Sequence, residues 1–184
     1  VSGYGAYKAG TASASVAAAQ KPTFTATGAL NKATSSSQTA AASAGKAATL
    51  QSKANQTGSA VDQTAADIAK NKAATDLQTA NTDVTAARAA LKGTNAEVES
   101  QGTKTLDILE AENGNLGKAN GDQTAIKDAG GKIGKAKKDM DGASKKYETE
   151  LMQTKYQAGS QESQMSQAIS QGVKTVGDFV SGSL

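Results

Sequence analysis

The sequence predicts an all-α protein built from long, Ala-rich amphipathic helices with coiled-coil-like seams, extended rather than globular, behind a flexible N-terminal arm. Three observations carry this expectation. The chain holds one proline in 184 residues, at Pro22, so nothing beyond it forbids helix. Its apolar residues recur at sevens: Leu77, Val84, Leu91 and Val98 in one stretch, Ile126, Ile133, Met140 and Tyr147 in another, the period of a helix packing along one stripe. Large apolar residues are scarce. Of the 37% hydrophobic residues most are alanine, and Leu, Ile, Val and Phe make up 24 of 184, about 13%, against the roughly 20% of a well-filled globular chain. A compact single core spanning this length is not expected. Helices of this composition bury one narrow stripe each, in seams or assemblies.

The first element is an arm over residues 1–38. It is dominated by Ala, Ser, Thr and Gly, and residues 1–61 contain five lysines (Lys8, Lys21, Lys32, Lys46, Lys53) and no acid. Pro22 disfavours helical geometry at Lys21, so a short helix from about Gly10 to Gln20 is expected to stop there. Lysines this dilute, without arginines or aromatics between them, suit a solvated arm or an acidic partner better than base-specific reading.

A helical body follows over 39–159. Ala73, Ala80 and Ala87 fill the alternate positions of the 77-84-91-98 stripe, giving a seam that favours close helix approach. At Lys92-Gly93-Thr94, Gly93 suits the position after a helix end, and Thr94 with Glu97 spells a capping box. The stripe meanwhile continues to Val98, so a kink and a short break both satisfy the signals. Val98, Leu106, Leu109 and Leu116 precede two Asn-Gly pairs, at 113–114 and 120–121. These predict the tip of a helical hairpin near 113–121, with Asp122 as the next N-cap. The second long helix carries Gly130, Gly131, Gly134 and Gly142, each costing up to about 1 kcal/mol relative to Ala; close packing must hold that portion, or it frays.

The last element is an amphipathic docking helix over 160–184, with Met165, Ile169, Val173, Val176 and Val180 on one face. It suits a partner helix in a bundle or a membrane interface, although Lys174 alone offers little attraction to anionic lipid. No run approaches the roughly 18 apolar residues of a membrane span, and no apolar segment precedes a cleavage site at the N-terminus; the chain is expected to be soluble. A start at Val1 fits loss of an initiator Met, a processed precursor or a trimmed chain.

Catalytic chemistry finds little material. The chain has no His, Cys or Trp, which removes imidazole and thiol nucleophile pairs, zinc sites and disulfides. Asp107, Glu110 and Glu112 lack the Gly-bearing loop or second carboxylate helix of a metal site. The expectation is no enzyme, no catalytic, cofactor-binding or metal-binding residue, and no cofactor. The strongest charged feature is Lys132, Lys135, Lys137, Lys138, Lys145 and Lys146, six cations in fifteen residues offset by Asp139 and Asp141. They suit nucleic acid or an acidic partner, or the solvated face of a helix. A hairpin near 113–121 also brings them toward Glu97, Glu99, Asp107, Glu110 and Glu112. Leu77, Val84, Leu91 and Val98, with the stripe from Met165 to Val180, are the candidate oligomer or partner-docking residues.

The opening Val-Ser-Gly-Tyr-Gly-Ala-Tyr-Lys-Ala-Gly, the His- and Cys-free Gln/Ala/Lys helices and the Gly/Val tail over 172–184 together resemble the internal virion (core or ejection) proteins of short-tailed bacteriophages. The resemblance lies in composition and layout over most of the chain, and no diagnostic motif carries residue roles across. It implies a homo-oligomeric structural protein inside the virion, near the portal and further core proteins, with non-specific DNA contact. It also implies passage into the host cell envelope, and transient association with it, during infection, as part of a channel for DNA delivery. The alternative is a secreted translocator or filament subunit of a bacterial type III export apparatus, although a translocator would carry a longer apolar segment.

Overall fold

The computed structural model describes the backbone of residues 2–94 and 96–181 and the side chains of most residues between 25 and 170. Every regular element among them is an α-helix: α1 (Ser2–Thr57), α2 (Ala60–Leu91), α3 (Ala96–Lys118) and α4 (Gln123–Ser181). The chain divides into two units, one formed by Ala19–Ser144, the other by Val1–Ala18 with Lys145–Leu184.

Helix α1 runs through Pro22, which corrects the expected stop at Lys21. A proline inside a helix removes one hydrogen bond and crowds the carbonyl four residues earlier. Here that carbonyl belongs to Ala18, the last residue before the boundary between the units. The boundary of the arm at residue 38 moves as well. Ala26, Leu30, Ala33, Thr34 and Ser37 are fully buried, so the low-complexity stretch supplies core. The reason lies in side-chain size: Ala26, Ala33, Ala40, Ala47 and Ala54 repeat at seven and are all buried, a heptad written wholly in methyl groups.

The unit Ala19–Ser144 is an up-down-up-down four-helix bundle. Ion pairs and contacts fix its neighbours: Ser36 of α1 with Asp83 of α2, Arg88 of α2 with Asp107 of α3, Glu112 of α3 with Lys132 of α4, and Gly45 of α1 beside Ile126 of α4. Paired contacts run in opposite directions along neighbouring helices, Ser36 and Ser43 meeting Asp83 and Asp76, Arg88 and Asn81 meeting Asp107 and Asn113, and Glu112 and Thr105 meeting Lys132 and Met140, so successive helices are antiparallel. Large residues of α3 and α4 (Leu106, Leu109, Ile133, Met140) fill the centre opposite the alanines of α1 and α2.

Three turns connect the helices, where the sequence predicts one hairpin tip. The first was not expected: Gly58 at φ 61° ends α1, and Ser59 caps α2 by accepting from the Asp62 amide. The second resolves the kink or break at Gly93 as a break, with Gly93 at φ 82°. The hydroxyl of Thr94, expected to open a capping box, donates to the Leu91 carbonyl, and α3 begins at Ala96. The third lies at 119–122, where Asn120 (φ 48°) and Gly121 (φ 87°) are left-handed and Asp122 Oδ1 accepts from the amides of Thr124 and Ala125, as expected of an N-cap. The other Asn-Gly pair is helical. Asn113 is buried in the bundle, donating to Asn81, because burial of Leu109 and Leu116 on either side holds that turn of α3 in phase.

The unit Val1–Ala18 with Lys145–Leu184 brings together the start of α1 and the end of α4. The expected separate docking helix over 160–184 is the continuous end of α4 up to Ser181, and the body does not end at 159. The side chains of Ile169, Val173, Val176 and Val180 lie outside the described residues.

Two glycine substitutions test this arrangement. Gly114→Ala meets nothing within 4 Å and is expected to raise stability by up to about 1 kcal/mol; a turn there would make it destabilising. A Cβ at Gly102 would come within 2.6 Å of Leu91 and 3.1 Å of Leu30, so Gly102→Ala is expected to cost about 1–3 kcal/mol. Urea denaturation of both variants measures the contrast.

Candidate functional site

The most organised polar feature is a seam between α1 and α2. Ser36 donates to Asp83, Ser43 to Asp76 and Thr57 to Asp62. Serine at 36 and 43 and threonine at 57 share one heptad position, with Leu50 at the intervening step; Asp83, Asp76 and Asp62 share the matching position on α2, with Ala69 opposite Leu50. A lysine completes each polar level: Lys32 at 2.9 Å from Asp83, Lys72 at 2.9 Å from Asp76 and Lys53 at 2.8 Å from Asp62. Asp83 is the most enclosed, with 7% of its side chain exposed. Hydrogen bonds from Ser36, Ser43 and Lys53 respectively lead the causes that hold the Asp83, Asp76 and Asp62 carboxyls below the usual aspartate range.

A second polar set joins α2, α3 and α4. Arg88 bridges Asp107 at 2.9 Å and Glu110 at 2.8 Å. Glu112 is buried; burial opposes its ionisation, but hydrogen bonds from Asn115 and Lys132 outweigh that and leave its pKa below the usual range. The three acids considered as metal ligands are thus each engaged by a cation of this chain. A cleft of about 240 Å³ opens between the α1–α2 hairpin and the α3–α4 turn, walled largely by Ala47, Ala73, Leu77, Leu116 and Ile126, with Lys70 its one ionisable residue. It brings no acid and base together.

The structure divides the six-lysine cluster. Lys132 pairs with Glu112 at 3.0 Å, the expected approach of the lysine-rich segment to the acidic one, whereas Lys137 pairs within α4 with Asp141 at 3.0 Å. Lys135, Lys138 and Lys145 are exposed with no carboxylate partner among the described residues, and Lys146 is also exposed. The proposed docking stripe requires correction. Val84, Leu91 and Val98 are at most 7% exposed and Leu77 is half-buried, so this chain's own helices cover them. The fold-back at Gly58 supplies that cover. Met165, in contrast, is 55% exposed.

No protein-family model, curated protein or solved structure matches the chain.

The serine–aspartate seam is built on short polar residues and leaves no mark in the pattern of large apolar ones. Its signal was nevertheless present in Ser36/Ser43/Thr57 and Asp62/Asp76/Asp83 as two heptad series of short polar residues, and the turn between them in Gly58-Ser59 followed by Asp62.

Substitutions separate the seam from surface charge. Asp83→Ala leaves the Ser36 hydroxyl and Lys32 without their acceptor and is expected to cost about 1–3 kcal/mol, against under about 0.5 kcal/mol for the exposed Asp67→Ala, as read by urea denaturation. The pH dependence has a definite sign. Because the three aspartates titrate below their usual range near pH ~3.9, the stabilisation is complete above that range and is lost as pH falls through the lowered values. Melting scans are expected to record a steeper acid loss for the wild type than for Asp83→Asn.

Proposed function

We propose that the chain is a structural assembly protein, an internal core or ejection protein of a short-tailed phage that oligomerises through helix faces left open by its own fold. The observation that carries this reading is the uncovered apolar surface. Val61 and Ile68, seven residues apart on α2, are 78% and 66% exposed, and Met152, Tyr156 and Met165 on α4 are 71%, 82% and 55% exposed. Met165 stands on the heptad series of Leu151 and Ala158, offset by four residues from the series that carries the buried Ile126, Ile133 and Met140. Burying a Val, Ile or Met side chain fully contributes about 1.5–3 kcal/mol. A few such residues per contact, repeated over many copies, supply what the thin alanine core of one chain does not.

The partners follow from that setting: further copies of the chain, portal or other core proteins, and transiently the host envelope. The compartment is the virion interior before infection and the host envelope during it. Small side chains and the absence of cysteine suit a chain that travels through a narrow passage. No helix among the described residues is long and apolar enough to cross a membrane, so envelope association would rest on assembled amphipathic faces.

Native mass measurement and imaging are expected to find a symmetric oligomer that Val61→Ser/Ile68→Ser weakens and that loss of residues 160–184 abolishes. A monomer at every concentration would overturn the reading, and unchanged assembly after the deletion would remove the tail from it. Portal or capsid genes beside this one, rather than export-apparatus genes, are expected from the same proposal.

A further inference from the structure

Along α4, Lys127, Gly131, Lys135, Lys138 and Gly142 succeed one another at steps of four, four, three and four residues, which places them on one stripe of the helix. All five are exposed, on the side facing away from Ile126, Ala129, Ile133, Ala136 and Met140. No carboxylate among the described residues pairs with Lys127, Lys135 or Lys138; Asp128 and Asp139 lie along one edge of the stripe.

The glycines sharpen the feature. Gly130, toward the bundle, has a packing reason, since a Cβ there would touch Ala41 at 3.5 Å; at Gly131 and Gly142 a Cβ would meet nothing within 4 Å. No contact among the described residues calls for glycine at these two exposed positions, where each costs about 1 kcal/mol of helix stability relative to Ala. They leave the helix surface low between the lysines.

We infer that this stripe is a binding surface for the sugar-phosphate backbone of nucleic acid, held by charge and without sequence preference. Three considerations choose that occupant. Lysine binds phosphate as a point charge, and the stripe carries no arginine or aromatic to read a base edge. A lipid surface is disfavoured because no large apolar side chain lies among the lysines between residues 127 and 142; the exposed Val61, Ile68 and Ile108 lie on other helices, and Met152, Tyr156 and Met165 lie further along α4, in the other unit. A second copy is a poorer match, since the acid-rich stretch of α3 has Asp107 and Glu110 held by Arg88 and Glu112 by Lys132. The inference is independent of the assembly reading and holds for a monomer as well as for an oligomer.

The test uses the full chain and a fluorescein-labelled duplex DNA of random sequence, followed by anisotropy across a salt series. Lys127→Gln/Lys135→Gln/Lys138→Gln is expected to weaken binding by about tenfold or more at low salt and to reduce the slope of log K against log salt by about 2–3, one contact per lysine. The charge-matched control Lys70→Gln/Lys104→Gln/Lys118→Gln, on exposed sites of α2 and α3, is expected to change the slope far less. Gly131→Ala/Gly142→Ala is expected to raise the melting temperature while weakening binding about threefold or more. Equal losses in both lysine variants, no binding by the wild type, or binding to phosphatidylserine vesicles but not to DNA would each overturn the assignment. So would a glycine variant that gains stability with unchanged affinity.

Discussion

The distance between α1 and α2 is set by methyl groups, and the rest of the bundle depends on it. Ala33, Ala40, Ala47 and Ala54 stand level with Ala87, Ala80, Ala73 and Ala66 in the register fixed by the serine–aspartate bonds. Alanine facing alanine places two helices at the short end of the usual 8–10 Å range of separation. Only at such a separation can side chains as short as serine and aspartate bond directly. Close approach makes the polar seam possible, and the polar seam fixes the register that keeps the alanines level. Neither is sufficient alone: alanine burial contributes little per residue, and partly exposed ion pairs contribute about 0–1 kcal/mol each.

The two halves of the bundle therefore hold together by different means. The hairpin of α1 and α2 relies on closeness and on hydrogen bonds to carboxylates, whereas α3 and α4 contribute Leu106, Leu109, Ile133 and Met140, a more ordinary apolar core. Gly102 joins the two, giving Leu91 and Leu30 the space that a Cβ would occupy. Strength and specificity are thus distributed unevenly: the large residues provide most of the burial, and the small ones decide which surfaces meet and where.

This division explains what could be read in the sequence. Helix class, the heptad stripe from Leu77 to Val98 and the cap at Asp122 were legible because large apolar residues and Asx caps have strong local signatures. The burial of residues 26–54 was not, because a heptad of alanines is indistinguishable by hydrophobicity from low-complexity filler; only its period marks it. Asn113-Gly114 misled for the opposite reason: a strong local turn signal yielded to the phase imposed by Leu109 and Leu116, while the weaker Gly58-Ser59 signal formed the turn. The six-lysine cluster was legible as a charge but not as a surface, since its division into Lys132 and Lys137, paired within the chain, and Lys135 and Lys138, turned outward, depends on which side of α4 meets the bundle.

The apolar level at Leu50 and Ala69, between the polar levels of the seam, has its own consequence. A ladder with hydroxyls and carboxylates at every step could slide by one heptad and remake nearly all its bonds. With Leu50 in place, a slide in either direction sets an aspartate, Asp62 or Asp76, against a leucine side chain. The interruption acts as the notch of a key, denying the repetitive α1–α2 hairpin the shifted pairings that its own regularity would otherwise permit.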